Sequence, residues 1–413
     1  MMIKYFFMKI IYLHQYYKFP NESGGTRSFD LSIGFLDLGH HIEVITSTSD
    51  ESYKKTKGWF KIKKNGLLIH YIYLPYGNDM TYLQRSFVFL KFLFLSTLKL
   101  MSLKGDLVLA TSTPLTIGIP AIIKRWIHKT PFIFEARDIW PEAVIAIGAI
   151  KNKILQKILF FLEQLIYKNA AAIVPLSVDM KKSIISRYPN LAEKPIEVIE
   201  NISEINRFQT GYTNKISVLK EKIGFQPRFA ILYAGAFGRV NGLNYVIELA
   251  TKLADVDPTI VFILIGSGAE KKALIQEAKQ EGVLNKNIFF LDSVSKQDLP
   301  QLYYECNMGS SFVIPIKELW ANSANKFFDC LAASKPILIN YNWWQKEVIN
   351  KENIGYILPT NINDEVVKNF ASYTHDKVLI AKQQKNALNI AKERYATNVA
   401  VTKYNDLFLK VKK

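Results

Sequence analysis

Short apolar runs alternate with longer segments of helical periodicity along the whole chain. In the first half, apolar or β-branched runs predict strands at 9–13, 41–46, 68–73, 107–110, 132–135, 172–175 and 196–199. Between many of these runs, apolar residues recur at helical spacing and predict helices at 27–38, 81–101, 115–128, 153–168 and 178–187. Such alternation predicts a parallel, doubly wound sheet with helices on both faces.

The second half repeats this pattern. Strands are predicted at 229–234, 259–265, 288–291, 309–313, 336–340 and 355–358, and helices at 243–253, 270–280, 297–306, 325–333 and, in pieces, from 364 onward. A polar, irregular stretch at 202–228 predicts a linker. The chain is therefore expected to be an α/β protein of two Rossmann-like domains facing across a cleft. Their predicted limits are 1–202 and 203–395, with a C-terminal helix at about 396–413 packing back on the first domain.

Composition agrees with two folded domains and adds a strong positive charge. The chain has 413 residues, of which 49% are hydrophobic, so two large cores can form. A net charge of +17 favours nucleic acid, anionic lipid or phosphorylated substrates, although a generic lysine-rich surface would give the same excess. The two cysteines form no C-x-x-C pair, which fits a reducing cytoplasm and predicts neither a disulfide framework nor a zinc site.

The segment 81–104 is mostly apolar but carries Arg85, Lys91 and Lys99. A membrane-spanning helix would bury these charges at a cost of several kcal/mol. We therefore expect either an amphipathic helix that lies on the inner face of the cytoplasmic membrane or a core helix with solvated lysines. Residues 1–7 are expected to be either an extension or an upstream start that is not used, and they show no signal-peptide cleavage site.

Candidate catalytic residues follow the predicted strand at 132–135. The sequence FIFEARDIWPE places Glu135, Arg137 and Asp138 at the carboxyl end of this strand, followed by Trp140 and Glu142. Acid, base and aromatic side chains at a strand end are typical of a site, with the ring packing on a sugar. We predict that the first three are catalytic and that the last two lie on the acceptor side. A local Arg–Asp ion pair is the structural alternative.

The loop after the first strand is a second candidate. Gly24 and Gly25 precede a predicted helix and allow backbone amides to approach a phosphate or sugar oxygen, although a simple turn is equally consistent. His14 follows the strand itself, and Arg27 begins the helix. We expect His14 and Arg27 on the acceptor side of the cleft.

Glycine-rich strand ends mark the second half. The stretch ILYAGAFGRVNG joins a strand to a helix and predicts an anion cradle that includes Phe237, Gly238 and Arg239. Gly266 follows the next strand and is a weaker candidate. Neither loop carries the dinucleotide fingerprint G-x-G-x-x-G.

A predicted helix start in the second half supplies polar groups. Asn325 and Lys326 lie at its first turn, where Lys326 can reach a phosphate, and Asp329 can accept hydrogen bonds from ribose hydroxyls. An ordinary capped helix is the alternative. The D-x-D sequence at 255–257 lies at the end away from the cleft and is interpreted as a solvated turn, so no metal site is predicted.

Together these motifs resemble the retaining, GT-B-fold glycosyltransferases of family 4. Within that family the chain is similar to the WbuB-like fucosamine transferases of O-antigen and capsule gene clusters. The matching stretches are KIIYLHQYY, SGGTRS, TSTPLTIG, FEARDIWPEAVIAIG, LYAGAFG with NGL, LIGSGAE and SANKFFDCLAASKP. They occur in order over nearly the whole chain, and their combination is specific.

The resemblance implies roles for residues of this chain. It places Gly24, Gly25, Gly238 and Arg239 beside the donor phosphates. It also implies that Asn325 and Lys326 face phosphate, that Asp329 takes the place of a ribose-binding Glu, that the Val294 backbone meets the base and that Asp138 is in the active site. Ala236 and Asn241 stand where many family members carry an Arg and a Lys, and Ala321 replaces the first Glu of E-x7-E.

The expected activity is transfer of a hexose or N-acetyl-aminosugar from a nucleotide-sugar, expected to be a UDP-sugar, with retention and without metal or cofactor. The resemblance implies a lipid-linked or saccharide acceptor in surface polysaccharide biosynthesis. Two other classes fit less well. A GT-B-shaped sugar-nucleotide 2-epimerase would need no acceptor, and a non-enzymatic sugar- or nucleic-acid-binding protein would rest on charge alone, without a recognisable motif.

Overall fold

The computed structural model describes residues 7–75, 80–213 and 217–412. Its first lobe contains a seven-stranded sheet in the spatial order β3-β4-β2-β1-β5-β6-β7, parallel except at β3, which pairs antiparallel with β4. The strands are β1 (Lys9–Leu13), β2 (His41–Thr48), β3 (Trp59–Lys64), β4 (Leu67–Tyr73), β5 (Leu107–Thr111), β6 (Phe132–Ala136) and β7 (Ala172–Pro175). All residues of β5, β6 and β7 are buried, as expected for parallel strands covered on both faces.

The helices that precede residue 203 in the described part of the chain belong to the first lobe. They are α1 (Arg27–Asp37), α2 (Tyr82–Ser102), α3 (Gly118–His128), α4 (Glu142–Ala146), α5 (Lys153–Asn169) and α6 (Val178–Arg187). Side-chain caps fix several starts: Thr81 and Gln84 form a capping box on α2, and Asn152 and Ser177 cap α5 and α6. Among the helices of the described ranges, none is long and apolar enough to cross a bilayer.

The second lobe contains a six-stranded, fully parallel sheet in the order β10-β9-β8-β11-β12-β13. Its strands are β8 (Phe229–Ala234), β9 (Ile260–Ile265), β10 (Ile288–Leu291), β11 (Met308–Ser311), β12 (Ile337–Ile339) and β13 (Gly355–Ile357). Separate apolar clusters pack on its two faces. This lobe therefore has the same two-sided, three-layer architecture as the first.

The remaining helices belong mostly to the second lobe. They are α7 (Ile205–Thr210), α8 (Val218–Ile223), α9 (Asn244–Val256), α10 (Lys271–Gln280), α11 (Leu299–Glu305), α12 (Asn325–Ala332), α13 (Trp344–Glu352), α14 (Asp364–His375), α15 (Lys377–Ile390) and α16 (Thr397–Lys412). The last helix returns to the first lobe, where Tyr404, Leu407 and Phe408 pack in its core beside Phe35 of α1.

The predicted fold of two doubly wound α/β lobes is confirmed, and the sheet order explains where a ligand can bind. In the first lobe β1 lies between β2 and β5, and in the second lobe β8 lies between β9 and β11. At such a strand, the connections on its two sides run to opposite faces of the sheet, so a crevice opens outside the carboxyl ends of the strands. The loops after β1, β6, β8 and β9 therefore meet between the lobes.

Some local predictions were wrong. The antiparallel edge strand β3 was missed; it joins β4 through Asn65 and Gly66, both with positive φ, as a tight hairpin turn requires. The run 196–199 lies beyond β7 and forms only a single bridge, from Ile196 to Ile173, rather than a strand. The stretch 202–228 contains α7 and α8 rather than only irregular chain.

Candidate active site

A cavity of about 650 Å³ lies between the lobes, at the carboxyl ends of the central strands. Both lobes contribute to its wall. The first lobe supplies the ends of β1, β5 and β6 and the glycine loop before α1, and the second lobe supplies the ends of β8 and β9, the loop after β10 and the start of α12. Its polar and glycine lining includes His14, Lys18, Gly24, Gly25, Thr113, Arg137, Asp138, Asn201, Gly235, Gly266, Lys296, Asn325, Lys326 and Asp329.

His14 lines the first-lobe wall and is held by a buried hydroxyl. Its Nδ1 lies 2.9 Å from the Ser28 Oγ in the first turn of α1. Burial, together with the positive charge of Arg137, lowers the pKa of His14 well below its ordinary value. The imidazole is therefore neutral at physiological pH, so it can either donate a hydrogen bond to a sugar hydroxyl or accept one from it.

Arg137 and Asp138 enter the cavity from the end of β6. The Arg137 backbone N–H donates to the Ser112 Oγ at 3.0 Å, and Thr113 donates from its Oγ1 to Asp138 Oδ2 at 2.9 Å. Asp138 is exposed, and the Arg137 guanidinium forms no ion pair or side-chain hydrogen bond with any described residue. The two side chains thus present opposite charges to the cleft without neutralising each other through direct contact.

Glu135 and Arg27 do not line the cavity, which corrects the prediction that they contact substrate. Both side chains are almost fully buried within the first lobe, and Arg27 Nε lies 3.1 Å from Glu135 Oε2. Arg27 also donates to the carbonyl oxygens of Ile199 and Glu200, and Glu135 accepts from the Tyr404 hydroxyl. Their charges join α1, β6 and α16 beneath the site.

Trp140 and Glu142 also lie outside the cavity lining, in contrast to their predicted place on the acceptor side. Glu142 accepts a hydrogen bond from Ser183 at 2.8 Å and pairs with Arg187. Trp140 is half-buried and packs on the apolar core of the first lobe. Both residues anchor α4 against the lobe.

Glycine backbones form the floor of the second lobe. Gly235 follows β8, and Gly266 follows β9 with a φ of +152°. A Cβ on Gly266 would lie 1.8 Å from the Gly235 carbonyl oxygen, so the two strand ends touch backbone to backbone. The two loops therefore expose main chain without side chains, so a phosphate or another part of a ligand can approach closely.

Three residues of the predicted anion cradle lie outside the cavity. Phe237 is fully buried in the second-lobe core, and Gly238 and Arg239 begin a short 3-10 turn beyond the lining. The Arg239 side chain is exposed to solvent. Because the Phe237 ring is buried in the core, the loop turns away from the cavity after Ala236. The position of Arg239 therefore does not support its predicted contact with a phosphate.

The start of α12 faces the cavity. The Lys326 Nζ lies 4.9 Å from the centre of the Tyr233 ring, and a Cβ on Gly235 would approach this Nζ to 3.0 Å. Burial lowers the pKa of Lys326 to about 8, although Asp329 opposes the shift. Lys326 is a half-buried cation for which, within the described ranges, no carboxylate provides an ion pair.

Asp329 has a partner that sequence reasoning missed. Lys296, in the loop after β10, places its Nζ 2.6 Å from Asp329 Oδ1, and both side chains are buried. No sequence signal marked Lys296 apart from its closeness to Val294, which lines the same cavity. The pair leaves Asp329 with unused oxygen lone pairs toward the cavity, which a hydroxyl can approach.

The lobes touch directly around the cavity. The Lys296 N–H donates to the Glu22 carbonyl oxygen at 3.1 Å, and the Asn201 N–H donates to the Ser323 Oγ at 3.2 Å. A Cβ on Gly25 would lie 2.4 Å from the Asn325 Nδ2, so glycine lets the two lobes approach here without displacing the Asn325 side chain. The structure thus shows the lobes in contact around a cavity that lies between them.

A buried cluster of charged residues also joins segments where the two lobes meet. Arg207 of α7 places its Nη2 2.5 Å from Asp30 Oδ1 of α1, and its Nη1 donates to the Thr26 Oγ1 at 3.0 Å. Burial, with the nearby negative charge of Asp30, raises the pKa of Glu204 to about 7. None of these residues was predicted, because their role depends on contact between distant segments.

Known proteins resemble both halves of the chain. Residues 24–207 match the model of "Glycosyltransferase Family 4", and residues 216–394 match that of "Glycosyl transferases group 1". WcaI of Escherichia coli (strain K12), named for colanic acid biosynthesis, is 34% identical over 104 residues, a quarter of this chain and a quarter of its own length.

Solved structures match over the whole chain. Sucrose-phosphate synthase of Thermosynechococcus elongatus has a TM-score of 0.74 at 13% identity, covering 98% of this chain and 99% of its own. Anabaena Alr3699/HepE in complex with UDP-glucose has a TM-score of 0.71 at 17% identity, covering 98% and 100%. At these identities the likeness establishes the fold.

Two doubly wound lobes with a polar cleft between them, together with these matches, define a glycosyltransferase with the GT-B fold. More particularly, this chain is a family 4 glycosyltransferase whose second half is a group 1 domain.

Proposed function

We propose that this enzyme transfers a hexose or N-acetyl-aminosugar from a UDP-sugar, with retention, to a lipid-linked or saccharide acceptor of bacterial surface polysaccharide, as WbuB-like enzymes are expected to do. The observation that carries the proposal is the convergence of glycine backbones and an unpaired lysine on one cavity. The name of WcaI and the UDP-glucose bound by HepE support the substrate class.

The donor diphosphate lies against the second lobe in this proposal. Backbone amides after β8 and β9 and at the start of α12 donate to its oxygens, and Lys326 adds a full charge. The ribose hydroxyls bind to Asp329, whose position Lys296 fixes. Such preorganised donors stabilise the negative charge that develops on the leaving nucleotide, and we propose that they act without a metal.

The acceptor approaches from the first lobe. Asp138, oriented by Thr113, and the neutral His14 are placed to hydrogen-bond the acceptor hydroxyl and the transferred sugar. Gly24 and Gly25 bring the first-lobe loop close to the donor, and contact between the lobes limits the access of water. Premature hydrolysis of the donor is thereby suppressed.

The test is a panel of UDP-, GDP- and dTDP-sugars incubated with the full chain, with and without a lipid-diphosphate saccharide. We expect UDP release and a glycosylated product only when acceptor is present, with the donor's anomeric configuration kept in the NMR spectrum of the product. An epimerised nucleotide-sugar without acceptor would instead establish an epimerase. Binding of sugars without any turnover, or salt-sensitive DNA binding, would favour a non-enzymatic role.

UDP affinity should depend on pH through Lys326. Since the pKa of this lysine is lowered to about 8, it is charged below pH 8 and loses its proton as pH rises. The dissociation constant for UDP should be constant from about pH 7 to 7.5 and then rise toward about tenfold per pH unit above the lysine pKa. Calorimetric titrations up to pH 9.5 check this, with Lys326→Arg as the control that should restore a flat profile. A flat wild-type profile would contradict a binding role for the lysine charge.

We also propose that the enzyme lies on the inner face of the cytoplasmic membrane. Along α2, five exposed apolar side chains recur at helical spacing: Leu83, Phe87, Leu90, Phe94 and Leu98. The neighbouring helices α3 and α5 continue the apolar surface with Trp126, Ile127, Ile154, Ile158 and Phe161. An exposed apolar surface of this extent is typical of an interaction site.

The charges around this surface are almost all positive. Residues 80–134 contain seven Lys or Arg and one acid, Asp106, which accepts a hydrogen bond from the Lys9 N–H. Residues 143–178 up to the start of α6 contain four Lys and one acid, Glu163, which is buried against Arg187. An apolar face surrounded by unopposed basic residues complements an anionic lipid surface.

Co-sedimentation with vesicles tests the membrane proposal. The wild-type chain should bind vesicles that contain anionic lipid, bind zwitterionic vesicles weakly, and detach as salt is raised. The triple variant Phe87→Gln, Leu90→Gln, Phe94→Gln should lose most binding, because each exposed side chain contributes about 1–2 kcal/mol when buried. Val378→Gln, which removes an exposed apolar residue of α15, is the control and should bind normally. Equal binding by the triple variant would refute docking through α2.

A further inference from the structure

The charges that line the cavity do not cancel. Among the described lining residues, four are cations and two are carboxylates, and the cations are Lys18, Arg137, Lys296 and Lys326. Lys296 is neutralised by Asp329, and Lys18 lies 2.8 Å from Glu22. Arg137 and Lys326 remain without an ion pair, one on each lobe. The unpaired charges of the lining are then these two cations and the exposed carboxylate of Asp138, so a net positive charge remains, which favours an anionic ligand.

The second lobe alone supplies too little charge for a diphosphate. The loop after β8 brings no charge to the cavity at Ala236, and the uncharged Asn241 uses its Nδ2 to donate to the Ala236 carbonyl oxygen at 3.0 Å. Arg239 is exposed beyond the cavity. Lys326 is therefore the one second-lobe cation in the described lining that no carboxylate neutralises.

Arg137 occupies the opposite wall at the point where the lobes meet. Its backbone N–H is fixed on Ser112, which orients the loop after β6 toward the cleft. The same cavity is lined by Gly25, whose Cα faces Asn325 of the second lobe. The guanidinium charge also acts inside the cavity, since it contributes to the lowered pKa of His14. A planar, bidentate donor in this place suits phosphate oxygens.

We propose that Arg137 is the second cation of the donor site, so that the diphosphate is held between a first-lobe arginine and the second-lobe Lys326. This inference rests on the proposed donor site. It gives the contact between the lobes a chemical role, because both cations face the diphosphate only when the lobes are together. Separation of the lobes removes half of the charge stabilisation and leaves the donor unreactive.

The reaction step makes the role of Arg137 explicit. The bond between the anomeric carbon and the β-phosphate oxygen breaks, and its electron pair stays on that oxygen. The acceptor oxygen bonds to the anomeric carbon, and its proton then passes to the departing phosphate oxygen. Until that proton arrives, the diphosphate carries extra negative charge, and Arg137 and Lys326 stabilise it in the transition state.

The test compares Arg137→Met, Arg137→Lys and Arg137→Ala with the wild type in kcat, KM and the dissociation constant for UDP. We expect kcat to fall about 10²-fold in Arg137→Met, with partial recovery in Arg137→Lys. Added guanidinium ion should raise the kcat of Arg137→Ala, which a purely structural arginine would not allow. Arg125→Met, a change in α3 outside the cavity, is the matched control and should keep wild-type kcat.

Two results would overturn the inference. Normal kcat in Arg137→Met, while Lys326→Met is inactive, would remove Arg137 from the diphosphate site and leave the proposed function standing. Loss of kcat without rescue by either lysine or guanidinium, with a lowered melting temperature, would assign Arg137 a structural role. Failure of the wild type to bind any nucleotide-sugar would instead refute the proposed donor site itself.

Discussion

Replacing Lys326 by methionine is expected to lower kcat about 10²–10³-fold while the chain stays folded. Methionine keeps the apolar packing on Tyr233 but removes the charge that faces the proposed diphosphate. Because Lys326 has no ion-pair partner among the described residues, its removal leaves no carboxylate newly unpaired. The melting temperature without ligand should therefore stay close to that of the wild type.

The same variant should also bind UDP about 10- to 100-fold more weakly, since a hydrogen bond to a charged group contributes about 1.5–3 kcal/mol. Steady-state kinetics and calorimetry measure the two effects. Lys351→Met, an exposed change on α13 away from the cavity, serves as the control. A Lys326→Met enzyme with kcat within twofold of the wild type would show that the donor phosphates do not depend on this lysine.

Gly266→Ala is expected to abolish measurable UDP binding. The new Cβ would lie 1.8 Å from the Gly235 carbonyl oxygen, which is far inside van der Waals contact, so the ends of β8 and β9 must separate. Both strand ends line the cavity, and their displacement disorganises the backbone amides that face the donor. The φ of +152° adds strain of about 1–2 kcal/mol, so the melting temperature should also fall.

Gly224→Ala is the control that introduces backbone strain without a steric clash. Gly224 has a φ of +90°, and a Cβ there would meet no atom within 4 Å. This variant should lose a few degrees of melting temperature and keep its affinity for UDP. Unchanged UDP affinity in Gly266→Ala would mean that the donor does not bind on the floor formed by these two loops.

Strands covered on both faces were the easiest elements to predict. The bounds of β1, β7, β8 and β10 agree with their apolar runs to the residue, because parallel strands covered by helices on both faces have a continuous apolar sequence, even where β7 and β10 end their sheets. The edge strand β3 has exposed lysines at 61, 63 and 64 and lacks this signal. Its place depends on pairing with β4 rather than on its own composition.

The position of the site was predictable for a similar reason. Carboxyl ends of parallel strands share one edge, so side chains that follow β1 and β6 had to lie near the cleft. His14, Arg137 and Asp138 line the cavity as that rule requires. Glu135 lies two residues before Arg137, within β6, where every side chain is buried. The sequence alone does not show which residue at the end of a strand is the last to be buried.

Contacts between distant segments could not be predicted. The ion pair of Lys296 with Asp329 joins residues 33 positions apart, and that of Arg27 with Glu135 joins residues 108 apart. Neither pair has a spacing rule, since each depends on how two loops or layers pack. The outward turn after Phe237, which takes Arg239 away from the cavity, likewise follows from burial of the ring in the second-lobe core.

Amide hydrogen exchange with and without UDP most directly tests whether the donor binds in the cavity between the lobes, because it locates the nucleotide without the need for an acceptor. Slower exchange is expected at the backbone amides of Ala236, Ser267, Asn325 and Lys326 when UDP is bound, together with protection of the loop at 24–25. The Lys326→Met chain should show none of this at the same UDP concentration. Protection confined to other parts of the chain, at a UDP concentration that saturates binding, would contradict the proposed donor site.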